Sequence, residues 1–212
     1  MQYEVRRICT GKIVKKVYNG KEKRTAYYKY PIEVPTLLTI TGFVGDHQVY
    51  KAHGGVNKAV CLYDYNDYKL WQDYMNTQTE YSLMGENITT VGLDKETICI
   101  GDTFKLGEAV IQVTEGRGPC NTIAQVHGVP NIVKMMSASR ATGCYFRVLV
   151  EGIVAPNSQL SLIKKDETGF TLNEFNELMY GDKKNQELIK KALEVEALPE
   201  DYKEKFKKRL VK

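Results

Sequence analysis

Only three histidines and one tryptophan occur among the 212 residues, and no two of the five cysteines stand at CxxC spacing. An odd number of cysteines at irregular intervals (Cys9, Cys61, Cys99, Cys120, Cys144) argues against a disulfide framework and against the common structural zinc sites. Free thiols are expected instead. GxxxxGK[ST], GxGxxG after a strand, HExxH and GxSxG are all missing, so the usual nucleotide, zinc-protease and esterase readings fall away. Long apolar runs are missing too. The opening MQYEVRRICTGKIVKK scatters charges where a signal peptide or a membrane span needs continuous hydrophobicity, so a cytoplasmic protein with no membrane partner is expected.

Charge of one sign is also in short supply. Lys and Arg number 30 against 26 Asp and Glu, a formal net charge of +4. With no single basic stripe, nucleic-acid binding is not indicated. A small anionic ligand stays compatible, because a few cations and backbone N–H groups suffice for a phosphate. Hydrophobic residues at 42% and charged residues at 26% are near the average of folded globular chains.

Up to about residue 165, short apolar runs alternate with Gly and polar turns, which reads as strands joined by loops. The expected strands are Thr36–Thr41, Ala59–Tyr63, Thr97–Ile100, Ala109–Val113, Tyr145–Val150 and Gln159–Ile163. Cys61 and Cys99 fall inside such runs, where a small buried thiol is the simpler explanation. Two helical insertions are expected, one over Asp64–Met75 with Tyr68, Trp71 and Met75 at helical spacing, the other from about Pro130 through Met136. Beyond Lys165 the texture changes to Glu, Lys and Leu with helical periodicity three times in succession. The capping-box form Thr171-Leu172-Asn173-Glu174 opens the first helix, Gly181 closes it, and Pro199 separates the second from the third. Three short amphipathic helices cannot each bury a face alone, so they are expected to pack as a small bundle or against the β domain. The expected division is residues 1–165 for the β-rich domain and 166–212 for the helical one.

Three loop segments carry polar chemistry. In KAHGG, His53 could exchange a proton near neutral pH, and Gly54 and Gly55 could bring backbone N–H groups close to an anion; an exposed His on a Gly-rich turn explains the same letters. In GENITTVG, Glu86 could orient a cation and Asn87 could bond a heterocycle, or the polar residues could simply make side-chain turns. In EGRGPCN, Arg117 is permanently cationic and, if close, would favour Cys120 as thiolate. A lone loop cysteine is equally explained as inert.

The segments GFVGD (42–46), HGGVNKAVCLY (53–63), GENITTVGL (85–93), IGDTFKLGEAVIQVT (100–114) and RGPC (117–120), in this order, resemble a MOSC domain, the fold shared by the C-terminal part of molybdenum-cofactor sulfurases and by the mitochondrial amidoxime-reducing components. The nearer likeness is to bacterial YiiM-like proteins, in which a three-helix domain follows. The resemblance implies a mixed, β-rich α/β fold with a barrel-like β domain. It also implies binding of the molybdenum cofactor (molybdopterin), with Cys120 as the protein's metal ligand and a catalytic residue. A soft thiolate suits a thiophilic metal. Arg117, Gly54, Gly55, Asn87 and Glu86 then become candidate cofactor-binding residues, and His53 the candidate general acid. The implied activity is a reductase that converts small N-hydroxylated bases or related compounds to N–H with release of water, in a detoxifying role. An external electron-donor protein is implied, since the chain has no flavin, haem or iron–sulfur signature. A persulfide carrier working through Cys120 and a non-enzymatic cofactor carrier are the alternatives.

Overall fold

The structure is a computed structural model and describes residues 1–211, so the last residue of the expected helical segment, Lys212, lies outside the described residues. In chain order it has thirteen strands: β1 (Gln2–Thr10), β2 (Val14–Tyr18), β3 (Lys21–Thr25), β4 (Tyr30–Pro31), β5 (Thr36–Thr39), β6 (Gly42–Phe43), β7 (Val60–Asp64), β8 (Ile88–Val91), β9 (Thr103–Leu106), β10 (Ala109–Gly116), β11 (Cys144–Val150), β12 (Gly152–Val154) and β13 (Leu160–Lys164). Five α-helices are numbered the same way: α1 (Asn121–His127), α2 (Ile132–Ser139), α3 (Leu172–Tyr180), α4 (Gln186–Glu194) and α5 (Glu200–Lys207).

Seven strands close a barrel in the order β13-β9-β10-β11-β7-β8-β1, with β1 pairing back onto β13 and β4 added at the edge of β1. Closure removes the exposed sheet edge that an open sheet of this size would carry. Every neighbouring pair is antiparallel except β7–β8, which run parallel with Leu62 opposite Ile88. A parallel pair needs a long crossover. Here residues 65–87 supply it, including the 3-10 helix Tyr65–Trp71, whose first turn is capped by Asp64 accepting from the Asn66 N–H. A second small sheet, β12-β5-β6, and the separate hairpin β2-β3 complete the β structure.

Where apolar spacing predicts a helix over Asp64–Met75, the chain forms the shorter 3-10 segment, with Tyr68, Trp71 and Met75 buried as expected. The strand expected over Thr97–Ile100 is not a strand. Asp94 takes its place in the hydrogen bonding: the Asp94 carbonyl accepts from the N–H groups of Thr97 and Ile98, its side chain accepts from Glu96, and only Cys99 keeps a single bridge, to Thr171. Its apolar letters report burial alone, since Ile98, Cys99 and Ile100 are all core. The strand read as Ala109–Val113 runs on to Gly116, so the start of the EGRGPCN stretch belongs to the barrel wall.

Along β10, burial alternates up to Val113 and is then continuous through Gly116. The outer face there is covered by α3: a Cβ built on Gly116 would lie 2.6 Å from Asn176 Oδ1 and 2.7 Å from the Phe175 ring. The capping box at Thr171 is formed from both sides, with the Glu174 N–H donating to Thr171 Oγ1 and the Thr171 N–H to Glu174 Oε2. One continuous hydrophobic core contains barrel residues such as Phe104, Ile111 and Phe146 together with Phe170, Phe175, Leu178, Ile189 and Phe206 of the helical segment. The three helices therefore pack on the barrel as well as on one another. A second core, built from Tyr27, Tyr63, Tyr68, Trp71, Met84, Ile123, Ile132 and Met136, lies under α1 and α2.

Because the helices share the barrel's core, unfolding should be a single cooperative transition. Truncation of the fully buried Phe206 to Ala should lower the stability of the whole chain by about 3–5 kcal/mol. Urea titration followed by far-UV circular dichroism and by Trp71 fluorescence checks this; two separate transitions, with only the helical signal shifted, would contradict it.

Candidate active site

A cleft opens where β10, the residues before β7, and the loops on either side of β6 converge, spanning about 850 Å³ with the open solvent at its mouth included. Cys120, His53, Arg117 and Asn87 all line it, although they come from three separate loops of the sequence. Glycine permits the turn that anchors Arg117. Gly143 stands at φ 75°, where any Cβ would strike the Leu62 carbonyl, and its own carbonyl accepts from the Arg117 N–H at 2.9 Å.

Arg117 leaves the end of β10 and is 6% exposed. Its Nη2 donates to the Met84 carbonyl at 2.5 Å, while Nη1 is buried with no hydrogen-bond partner. Burial works against its charge, but Cys61, Tyr145, Cys120 and Tyr27 around it hold its pKa above the ordinary value. A buried guanidinium with an unused donor is costly unless an anion meets it.

Cys120 is the residue immediately before α1 and packs on the second core while remaining half-buried. Burial pushes its thiol up; neighbouring His53, the Arg117 charge and Thr122 outweigh that and bring it down to about 6. The other four cysteines go the opposite way. Burial pushes Cys61, which lines the same cleft, up to about 11 and Cys9 up to about 12, and it raises Cys99 and Cys144 as well. Of the five thiols, Cys120 alone is a thiolate at neutral pH.

His53 ends the 3-10 turn Lys51–His53 and meets Tyr50 edge-on, with ring centroids 5.4 Å apart. Asn87 is 4% exposed, and its side chain is already engaged: Nδ2 donates to Asp46 Oδ2 and the Cys9 carbonyl, and Oδ1 accepts from the Cys61 N–H. It braces the cleft wall and has no free amide hydrogen for a heterocycle.

Glu86, expected among the cofactor-binding residues, does not reach the cleft. It is fully buried behind the wall, where Oε1 accepts from Tyr68 and Thr89 and Oε2 from the Met84 N–H. The Met84 carbonyl in turn holds Arg117, so Glu86 supports the site at one remove. Gly54 and Gly55 are not on the lining either. Gly54 makes room for Gln48, whose side chain any Cβ there would strike, and Gly55, at φ 102°, turns the chain into the next 3-10 helix, Val56–Lys58.

Lining residues that the sequence reading does not single out include Lys29, Asp46, Lys58 and Tyr145. Lys29 is buried and ion-paired to Asp46, which also accepts from the Gly11 N–H at 2.7 Å. Asp46 and Lys58 stand within GFVGD and HGGVNKAV, where the resemblance pointed; Lys29, in YYKY, carries no local signal. Among the described residues, no three His, Cys, Asp or Glu side chains converge on a point where a metal ion could be held by the protein alone. A cleft with one thiolate, one unpartnered buried guanidinium donor and further lysines fits a metal that brings its own sulfur ligands and an anionic organic group.

Alkylation of Cys120 by iodoacetamide should therefore show its half-maximal rate near pH 6, falling below that pH as the thiolate is protonated. Arg117→Met should move the midpoint upward, because a cation that lowers the thiol is gone. Mass spectrometry of the peptide carrying Cys120, over a pH range of about 4 to 10 that spans the ordinary thiol value, checks this. A midpoint near 9 in the unaltered protein would show that the thiol is unperturbed.

Residues 49–161 match the family model of the MOSC domain, and residues 171–212 match that of the YiiM-like 3-alpha helix domain. The uncharacterized protein YflK of Bacillus subtilis (strain 168) is 37% identical over 209 residues, 98% of this chain and 95% of its own. Protein YiiM of Escherichia coli (strain K12) is 31% identical over 159 residues, covering 70% of this chain and 71% of its own. A protein named Reductase from Gibberella moniliformis (strain M3125 / FGSC 7600) is 30% identical over 156 residues, 72% of this chain but 28% of its own. The crystal structure of YiiM from Geobacillus stearothermophilus superimposes with a TM-score of 0.79 at 26% identity, over 99% of this chain and 100% of that one. The chain belongs to the MOSC domain family, in the YiiM-like group that carries a C-terminal three-helix domain.

Proposed function

We propose that the chain is a molybdenum-cofactor-dependent reductase of small N-hydroxylated bases or related N-hydroxylated compounds. The observation that carries the reading is Cys120, whose thiol is brought down to about 6, set in one cleft with buried Arg117 and its unpartnered Nη1. Membership of a family associated with the molybdenum cofactor supports it. So does the similarity to a protein named Reductase, of which the matching stretch is 28%.

Cys120 Sγ would be the protein's ligand to the metal, and Arg117 Nη1 would donate to an anionic atom of the cofactor. When bound, the cofactor supplies a two-electron centre. Reduction of an N-hydroxyl group to N–H and water consumes two electrons and two protons. His53 lines the cleft together with Cys120 and carries an N–H that can be given to the departing hydroxyl, whose release as hydroxide would otherwise be slow near neutral pH. The buried braces, Asn87 to Asp46 and Glu86 to Tyr68, keep the wall rigid while the proton moves. The electrons come from a separate donor protein.

Protein produced in a host that makes the cofactor should contain molybdenum and molybdopterin in equimolar ratio with the chain and should reduce N-hydroxylated purines or amidoximes when a reductase is supplied. Cys120→Ser should lose the metal and the activity with its circular dichroism unchanged. His53→Ala should keep the cofactor and lower turnover by about a hundredfold, the scale of a lost general acid. Persulfide on Cys120 without pterin would instead make the chain a sulfur carrier, and transfer of bound cofactor to an apoenzyme without any reduction would make it a cofactor carrier.

A further inference from the structure

The C-terminal helices touch the cleft through one buried carboxylate. Glu115, near the end of β10, is 2% exposed and belongs to neither hydrophobic core. Its Oε1 accepts from the Tyr202 hydroxyl of α5 at 3.3 Å on one side and faces Lys58 Nζ at 3.4 Å on the other. Lys58 is the last residue of the 3-10 helix that follows His53-Gly54-Gly55, and it lines the cleft with Cys120, Arg117 and Tyr145. The Tyr145 ring lies 5.8 Å from its ammonium. Next to Glu115, Thr114 Oγ1 donates to the Asn57 carbonyl at 2.7 Å, so the end of β10 holds the backbone of this helix as well as its lysine.

Three features say that this arrangement does more than fill space. A carboxylate this deeply buried is tolerated only where it is paired and hydrogen-bonded, and Lys58 and Tyr202 are the two groups that do so. Burial raises the Glu115 carboxyl and nearby Asp201 raises it further, while Lys58 and Tyr202 pull it back, so its charge depends on the lysine and the hydroxyl together. The lysine itself is only partly enclosed, with 25% of its side chain exposed, and it still lines the cleft with the pair made. An ammonium has three donors; Glu115 and the Ala52 carbonyl at 3.3 Å use two.

We propose that Tyr202 and Glu115 are positioning residues that fix Lys58 on the cleft wall to receive the anionic end of the bound group, so that the C-terminal helices set part of the binding site. The proposal rests on the reading of the cleft as a site for an anionic cofactor, but its geometry can be tested without that cofactor. Tyr202→Phe keeps the ring that packs 5.0 Å from Phe175 and removes only the hydroxyl; Glu115→Gln removes the charge and keeps the shape.

The rate of acetylation of Lys58 by acetic anhydride, read by peptide mass spectrometry against the exposed Lys190 in the same sample, reports how tightly the ammonium is held. Both variants should raise the Lys58 rate by about threefold or more, the effect of losing one hydrogen bond or ion pair, and the double variant should match Glu115→Gln alone because both act through one carboxylate. Millimolar inorganic pyrophosphate should slow Lys58 acetylation in the unaltered protein and do so less in either variant. Unchanged acetylation in Tyr202→Phe, strict additivity of the two variants, or no protection by pyrophosphate would each overturn the proposal. Separately, the protein from a cofactor-producing host should lose molybdopterin on gel filtration faster in both variants. A chain that never carries molybdopterin would refute the reductase reading while the acetylation result still decides the role of Lys58.

Discussion

The buried guanidinium of Arg117 is the constraint around which the cleft is arranged. An arginine cannot shed its proton, so a fold that buries one has to surround it with acceptors and with groups able to carry negative charge. Met84 supplies a carbonyl from the β7–β8 crossover, Gly143 fixes the backbone from just before β11, and Cys120 becomes the nearby group that ionises. The crossover exists because β7 and β8 run parallel, so the barrel topology is what brings this loop over the end of β10. The unpartnered Nη1 is then the donor of this arrangement that the protein leaves unsatisfied.

Arg117 does not by itself separate Cys120 from Cys61. Both thiols line the cleft and both feel Arg117, yet one is pushed up to about 11 and the other held at about 6. Cys61 sits within β7, with its backbone N–H tied to Asn87 and no side chain donating to its sulfur. Cys120 stands at the strand-to-helix turn, less deeply buried, where His53 and Thr122 join Arg117 in lowering its thiol. Charge proximity alone does not make a thiolate here; the deeper burial of Cys61 and the neighbours of Cys120 separate the two.

Much of this was legible in the sequence, for identifiable reasons. The barrel strands β7, β10, β11 and β13 announced themselves through apolar runs and bounding glycines, whereas β1, β8 and β9 did not; the helical segment announced itself through its capping box and helical period. Thr97–Ile100 misled because apolar letters record burial and not backbone pairing; Asp94 builds the turn by accepting from Glu96, Thr97 and Ile98, and Asp102 accepts from the Cys99 N–H. The Cys120 reading needed the resemblance. Arg117 is close to the sulfur in sequence, but His53 arrives from a distant loop, and no local pattern encodes that meeting. Glu86 looked like a site residue because it stands in a polar, glycine-flanked loop. Its burial against Tyr68 and Thr89 follows from the crossover, which composition does not reveal.

Lys58 shows how the appended helices become part of the site-bearing domain without contributing a lining residue. A barrel that ended at β13 would leave Glu115 facing solvent on its outer side, where water would solvate it and weaken its hold on the lysine. Docking α5 replaces that water with the Tyr202 hydroxyl and puts Phe206 into the barrel's own core. Lower local polarity strengthens the attraction between Glu115 and Lys58 and, by the same physics, makes the pair depend on every partner being present. The helical segment is thus coupled to the cleft by burial, and its sequence is constrained by the chemistry of a site it does not enter.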